Sequence, residues 1–168
     1  MLDALMTHST TGVRRSAQEQ TAFESALTTL FETQISFNQV LGLKLARFAP
    51  GGPVLRFDMR PELVGAYMYG RLHGGVISAV LDAMGGLALM WAIGEKHADE
   101  TCHQVLHRFT RLGTIDLRVD FLRQGIGKHF EAHAEVLRLG GRVGTTQMRL
   151  VNDEGTLIAT AAGAYMVS

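Results

Sequence analysis

The stretch GRLHGGVISAVLDAMGG, residues 70 to 86, places a histidine and two glycines directly before a long apolar run. If a helix begins there, the backbone N–H groups of Gly74 and Gly75 lie in its first turn, without partners inside the helix. No side chain shields these amides, and the helix dipole adds positive potential around them. His73, Gly74 and Gly75 are therefore candidates to bind a carbonyl oxygen and to stabilise negative charge that develops on it.

Asp82 is the only carboxylate between Gly74 and Gly94. Beside a polarised carbonyl, a carboxylate can activate water as a general base or attack the carbon itself, and the sequence leaves both roles open. Taken singly, the two glycines could serve close helix packing, and Asp82 could be a cap or an internal salt-bridge partner. The combination of residue types and their spacing favours the catalytic interpretation.

The spacing of these groups constrains the assembly. At about 1.5 Å of rise per residue, Asp82 lies roughly 10 Å along the helix axis from Gly75, too far for both to reach one reacting atom. Two antiparallel copies of the helix bring the aspartate of one chain near the glycines of the other. We therefore expect a homodimer with two equivalent shared sites.

Composition narrows the class of protein. The chain of 168 residues has 16 basic and 16 acidic residues without a run of like charge, which argues against a nucleic-acid partner. The single cysteine, Cys102, cannot form an intrachain disulfide and fits a reducing compartment. Residues 1 to 11 lack the pattern of a signal peptide, so a cytoplasmic location is predicted. Asp82 makes a membrane span at residues 76 to 93 unfavourable and points to a buried helix in a soluble fold.

The elements around the motif follow from periodicity and turn residues. Ser16 and Glu19 form a capping box that predicts a helix over residues 17 to 33. The sequence predicts one domain over residues 1 to 168. It begins with an arm over 1–13 and an N-terminal helical segment over 14–36, followed by strands at 43–48 and 54–59 and a loop over 61–71. A long helix then begins at His73, and a helical insertion follows at about 94–112.

The C-terminal part alternates with period two. Ile115, Leu117, Val119 and Phe121 are predicted to share one face of a strand, and further strands are expected at 130–139, 143–151 and 157–167. The last strand is rich in small residues, which leaves room for the long helix: Ala159, Ala161, Ala162, Gly163 and Ala164. The predicted fold class is α+β, with an antiparallel sheet of five or six strands wrapped around a central helix.

The residues Leu72-His73-Gly74-Gly75, Asp82 nine positions after the histidine, and the strand GTIDLRVDFLRQG resemble the PaaI-type thioesterases of the hotdog-fold superfamily. The resemblance covers about residues 43 to 167. It implies hydrolysis of acyl-CoA thioesters to the acid and CoA, with no metal or cofactor. It also implies that His73 organises the loop and the carbonyl, and that the chain assembles as a dimer or as a dimer of dimers.

The same resemblance assigns further positions. Thr114 matches a family position that is often Ser or Thr and can hydrogen-bond the reacting carboxylate or water, although it could equally be a strand residue without a role. The family commonly has an asparagine a few residues before the histidine, where this chain has Ala66 or Tyr67. Tyr67 or Tyr69 could supply a replacement hydroxyl.

Substrate contacts are predicted more broadly. Arginines near strand ends are candidates to hold the phosphates of CoA, namely Arg118, Arg123, Arg138 and Arg142. An acyl pocket is expected between the central helix and the partner subunit, lined by Met84, Leu87, Met90 and Trp91, although ordinary core packing is the alternative for each. The acyl group itself is left open, from aromatic to medium-chain.

Other chemistries compete with this interpretation. His97, Cys102, His103 and His107 could suggest zinc, but no HExxH motif is present, and surface histidines are the simpler explanation. Ser78 lacks the nucleophile-elbow motif, and Cys102 lacks an identifiable partner histidine. A hotdog hydratase or dehydratase, and an acyl-CoA-binding protein without catalysis, are the alternative functions. The missing asparagine favours the second of these.

Overall fold

The structure is a computed structural model that describes residues 13–49 and 51–168. The predicted arm, apart from Val13, therefore lies outside the described residues. Helix α1 spans Ala17–Thr29, and the side chain of Ser16 accepts from the Glu19 amide at 3.2 Å. The regular helix ends four residues earlier than predicted, because the chain widens into a π-helical turn over Leu30–Gln34. Phe31 is buried in that turn, so the apolar spacing continues although the helix type changes.

A short helix, α2 (Ser36–Leu41), leads into the sheet. The main sheet has six strands: β1 (Lys44–Ala49), β2 (Gly52–Asp58), β5 (Gly113–Phe121), β6 (His129–Leu139), β7 (Val143–Asn152) and β8 (Leu157–Met166). They form one antiparallel sheet in the order β1-β2-β6-β7-β8-β5. The predicted loop over 61–71 is instead a 3-10 turn, Pro61–Leu63, and a small hairpin of β3 (Val64–Ala66) and β4 (Arg71–Leu72).

Helix α3 (Gly74–Lys96) lies across the sheet, with His73 as its N-cap. Its apolar window has a mean hydropathy of 1.9, and by length and composition alone α3 could cross a membrane. In the structure, 61% of that window is buried within the chain, including Leu81, Met84 and Leu87. The burial shows that α3 serves as the core helix of this chain. The α+β class with a six-stranded antiparallel sheet around a central helix is confirmed.

Alternation along β8 separates its small residues between the two faces of the sheet. Ala159, Ala161 and Gly163 are buried, and so is Tyr165, whereas Ala162 lies on the opposite face and is exposed. Only part of the predicted small-residue surface therefore faces the helix. The bulky Tyr165 side chain occupies the same inner face near the end of β8, where its hydroxyl reaches the Asp82 carbonyl of α3.

Strand β5 contains a β-bulge that the period-two pattern did not predict. The pairing with β8 joins Thr114 to Tyr165 and Leu117 to Gly163, with a register shift between Thr114 and Asp116. Because residues that pair directly share a face, the extra residue turns Thr114 toward the helix side of the sheet. Ile115, predicted to share a face with Leu117 and Val119, is instead 58% exposed.

The connection from α3 to β5 is helical, as expected of the insertion, but α3 itself continues to Lys96. The connection after α3 contains α4 (Cys102–His107) and a 3-10 turn, Arg108–Arg111. Both pack against α1: the amide of Cys102 donates to Glu19 at 2.8 Å, and the rings of Phe109 and Phe23 lie 6.4 Å apart. The N-terminal helix thus covers the end of α3 that is remote from His73.

The contact between α1 and α3 depends on Gly94. A Cβ atom there would lie 2.4 Å from Cζ of Phe23, which is fully buried. We expect Gly94→Ala to lower stability by about 1 to 3 kcal/mol, since the overpacked ring cannot move into free space. Thermal unfolding measures the loss. Gly86→Ala is the matched control on the same helix, because its Cβ meets only Leu112 at 3.6 Å; an equal loss in both variants would contradict the steric explanation.

Candidate active site

His73 caps α3 with its side chain. Its Nδ1 atom accepts a hydrogen bond from the Gly75 amide at 2.9 Å, as the short polar side chains of usual N-caps do. A ring nitrogen that accepts carries no hydrogen, so the N–H of the neutral imidazole is at Nε2. His73 is exposed in the single chain. Its Nε2–H group is therefore a hydrogen-bond donor at the start of the helix.

This geometry corrects one expectation about the two glycines. The Gly75 amide is not unpaired, because the His73 imidazole occupies it. The Gly74 amide, at the first position of the helix, has no acceptor within the described residues. The donors at this end of α3 are thus the Gly74 N–H and the His73 Nε2–H, and Gly75 contributes by orienting the imidazole and by leaving the surface open.

The backbone of Gly65 packs closely against His73, a contact that sequence reasoning missed. A Cβ atom at Gly65 would lie 2.6 Å from Cα of His73, so any side chain here would displace the backbone. The amide of His73 also donates to the carbonyl of Leu63 at 2.9 Å. The 3-10 turn and the β3–β4 hairpin therefore hold the backbone of His73 in a fixed position. A glycine inside a strand is the sequence signal for such a close approach.

Asp82 is half-buried, and its carboxylate meets Thr114. The Thr114 hydroxyl donates to Oδ1 of Asp82 at 2.8 Å, and Thr114 is exposed, so the pair lies at the surface of the single chain. The bulge at Ile115 makes this contact, because without it Thr114 would point to the outer face. The structure thus brings together the two polar residues that the sequence placed 32 positions apart.

Tyr165 is a second residue that sequence reasoning missed. Its hydroxyl donates to the backbone carbonyl of Asp82 at 3.2 Å, and its side chain is 1% exposed. The pKa of Tyr165 lies well above its ordinary value because burial, and then the neighbouring Asp82 carboxylate, disfavour the phenolate. The hydroxyl therefore keeps its proton throughout the neutral range.

The predicted phosphate-binding arginines do not converge within one chain. Arg118 pairs with Asp120 at 3.1 Å on the outer face, and Arg142 lies in the turn between β6 and β7. Arg123 donates to the carbonyl of Leu157 at 3.1 Å and lines a groove of about 430 Å³. Gly74 and Arg71 line the same groove, so it begins at the helix N-terminus and carries two basic side chains. Arg71 was not predicted.

The tyrosines of the hairpin tip, residues 67–70, point away from the rest of the chain. Tyr67 is 89% exposed and Tyr69 is 62% exposed, and the Arg71 guanidinium lies 5.7 Å from the Tyr69 ring. Together with Met68 they make an apolar projection. Their hydroxyls are thus free to contact a second molecule at this end of α3.

The structure of the single chain does not place Met84 at an open pocket. Met84 and Leu87 are fully buried in the core of their own chain, where α3 packs on the sheet. Trp91 is packed between two other aromatic rings, 4.9 Å from Phe48 and 6.0 Å from Phe23. These residues fill the core because the apolar face of α3 that carries them turns toward the sheet, whereas Asp82 lies on another face.

The geometry does not support a zinc site or a serine or cysteine nucleophile among the described residues. Among the described residues, no group of three or more His, Cys, Asp and Glu side chains is placed to hold a metal ion. Burial, and then the nearby Glu19, raise the pKa of the Cys102 thiol, which disfavours the nucleophilic thiolate. Ser78 donates its hydroxyl to the Gly74 carbonyl at 3.0 Å, a local helix contact.

Comparison with known proteins adds independent information. Residues 69–159 match the thioesterase superfamily. The chain is 38% identical over 138 residues to the medium/long-chain acyl-CoA thioesterase YigI of Salmonella typhimurium, covering 82% of this chain and 89% of that protein. A Shewanella oneidensis structure related to the thioesterase superfamily superposes with a TM-score of 0.84 at 36% identity, covering 92% of this chain and 100% of that one.

The resemblance to PaaI-type proteins also has a structural counterpart. A point mutant of the phenylacetic acid degradation protein PaaI from Thermus thermophilus superposes with a TM-score of 0.58 at 25% identity. The superposition covers 79% of this chain and 99% of that one. Both the predicted family and the predicted hotdog fold are confirmed by these matches.

Proposed function

The chain belongs to the thioesterase superfamily and is a thioester hydrolase, and on that premise we propose that it hydrolyses acyl-CoA at a site built from His73, Gly74 and Asp82. The observation that carries the site is the Thr114–Asp82 hydrogen bond. It holds a half-buried carboxylate at the surface of an otherwise apolar helix. A carboxylate that is oriented and still accessible suits attack on a thioester better than a structural role does.

The proposed reaction uses each group once. The Nε2–H of His73 and the amide of Gly74 donate to the thioester oxygen, which becomes negative when the carbonyl carbon is attacked. Asp82 either takes a proton from the attacking water or attacks the carbon and forms an anhydride that water then cleaves. In both routes the C–S bond breaks, CoA leaves as the thiol and the acyl group leaves as the acid.

We propose that the active unit is a homodimer whose sites are shared. The donors at Gly74 and the carboxylate of Asp82 are on one helix, roughly 12 Å apart along its axis, so one chain cannot apply both to the same carbonyl. Within the described residues, β5 is an edge strand with an unpaired side, and Ile115 and Phe121 on it are exposed. An edge strand with exposed apolar side chains suits pairing with a second copy.

The same arrangement gives roles to the hairpin tip and the arginines. In the dimer, Tyr67 and Tyr69 would contact the partner at the shared site. There a tyrosine hydroxyl could take the place of the family's asparagine, which is absent at Ala66. Arg123 lines the groove that begins at Gly74, and this position supports a role in binding a CoA phosphate. Arg118, on the outer face, and Arg142, in the turn between β6 and β7, stay candidates for CoA contacts from the other chain. The cytoplasm remains the proposed location.

The substrate class follows from the relatives. The Salmonella protein is named for medium and long acyl chains, and we propose the same range here. Release of CoA thiol from hexanoyl-, palmitoyl-, benzoyl- and phenylacetyl-CoA tests this directly. We expect turnover with the first two and slower turnover with the aromatic esters. Binding of all four without thiol release would contradict the hydrolase and favour an acyl-CoA-binding protein.

A further inference from the structure

The network beneath Asp82 is more extensive than the proposed reaction requires. Tyr165 reaches across from β8 and donates its hydroxyl to the Asp82 carbonyl at 3.2 Å. Thr114, which holds the carboxylate, is the directly paired neighbour of Tyr165 across the β5–β8 ladder. Adjacent positions of the sheet therefore hold one residue of α3 by its side chain and by its backbone.

The chain makes room for this contact at two glycines. A Cβ atom at Gly85 would lie 2.2 Å from the Tyr165 hydroxyl oxygen, and one at Gly163 would lie 2.8 Å from its ring. Gly85 is in the interior of α3, where glycine lowers helix stability by about 1 kcal/mol relative to alanine. This cost has a structural explanation, because only glycine allows the hydroxyl to reach the helix backbone. The Thr146 hydroxyl, buried beside Gly85, closes the slot.

We propose that Tyr165 is a positioning residue for Asp82, an assignment that rests on the proposed function. Its hydroxyl fixes the turn of α3 that carries the carboxylate, while Thr114 fixes the carboxylate itself. The carbonyl of Asp82 has two lone pairs, so it can accept from Tyr165 and from the helix together. A displacement of the reacting group by about 1 Å is enough to slow catalysis strongly.

The test is Tyr165→Phe, which removes the hydroxyl and leaves the ring in its slot. We expect kcat for palmitoyl-CoA to fall on the order of tenfold, as the loss of one orienting hydrogen bond predicts, with KM within about twofold. Ile93→Val is the control, a buried substitution on α3 far from Asp82, which lowers the Tm but not kcat. A purely structural role for Tyr165 would lower the Tm in the same way and leave kcat unchanged, which would overturn the assignment.

A second measurement tests the contact without any assay of activity. In the native background Gly85→Ala places a Cβ 2.2 Å from the hydroxyl oxygen, whereas with Phe at position 165 the nearest ring atom is 2.8 Å away. The loss of Tm caused by Gly85→Ala should therefore be smaller in the Tyr165→Phe background. Equal losses would show that the hydroxyl does not occupy this slot and would overturn the proposal.

These outcomes separate the positioning role from the function. If the native protein releases no thiol from any acyl-CoA, the proposed function fails and the catalytic assignment of Tyr165 fails with it. If the native protein and Tyr165→Phe turn over equally while Asp82→Asn is inactive, only the assignment of Tyr165 is overturned.

Discussion

Asp82→Asn should reduce kcat for acyl-CoA hydrolysis by about 100- to 10,000-fold, the range expected when a general base is lost. The amide has nearly the same shape as the carboxylate and can still accept from the Thr114 hydroxyl, so the local fold should persist. It can neither take a proton from water nor attack a carbonyl. A loss of at least this size is therefore expected for both chemical routes.

Three measurements make this variant decisive. Thiol release gives kcat, thermal unfolding shows that the variant is folded, and calorimetry with a non-hydrolysable thioether analogue of palmitoyl-CoA gives the affinity. We expect the affinity to remain within a few-fold. Asp99→Asn is the matched control, since Asp99 is an exposed residue just after α3. Turnover within about threefold of the native protein in Asp82→Asn would contradict a chemical role for Asp82.

Much of the architecture could be predicted because its signals are long and periodic. The apolar run after His73 and the alternation over residues 129–166 extend for ten residues or more, and each matches one secondary-structure period. Two helix ends differ from the prediction: α1 ends at Thr29, where the apolar spacing continues through a change in helix type, and α3 extends to Lys96. Such changes do not alter the hydrophobic pattern on which the prediction depends.

The site was predicted less completely because its geometry depends on single residues. The bulge adds one residue at Ile115, which reverses the direction of Thr114 without disturbing the alternation that follows. The occupation of the Gly75 amide depends on the rotamer of His73. The contact of Tyr165 with Asp82 joins residues 83 positions apart and depends on the register of β8. Gly85 was the available signal, as a glycine that lowers helix stability.

The second large effect concerns heterodimers of two inactive chains. If the sites are shared, a dimer of an Asp82→Ala chain and a Gly75→Ala chain combines the intact helix N-terminus of the first with the intact aspartate of the second. Gly75→Ala disables its own N-terminus because the new Cβ lies 2.9 Å from Nδ1 of His73 and displaces the imidazole. One of the two sites is then complete, so the heterodimer should have about half the native activity. Coexpression with two different affinity tags and tandem purification isolates it.

The same two substitutions placed in one chain provide the control. A heterodimer of the native chain with an Asp82→Ala/Gly75→Ala chain contains the same residues in total, but shared sites leave each site with one defect, so activity should be lost. Sites contained within single chains predict the reverse, about half activity for this arrangement and none for the other. The two heterodimers therefore give opposite results under the two geometries, and equal activity in both would contradict a pairing of Asp82 with the Gly75 end of the partner's helix.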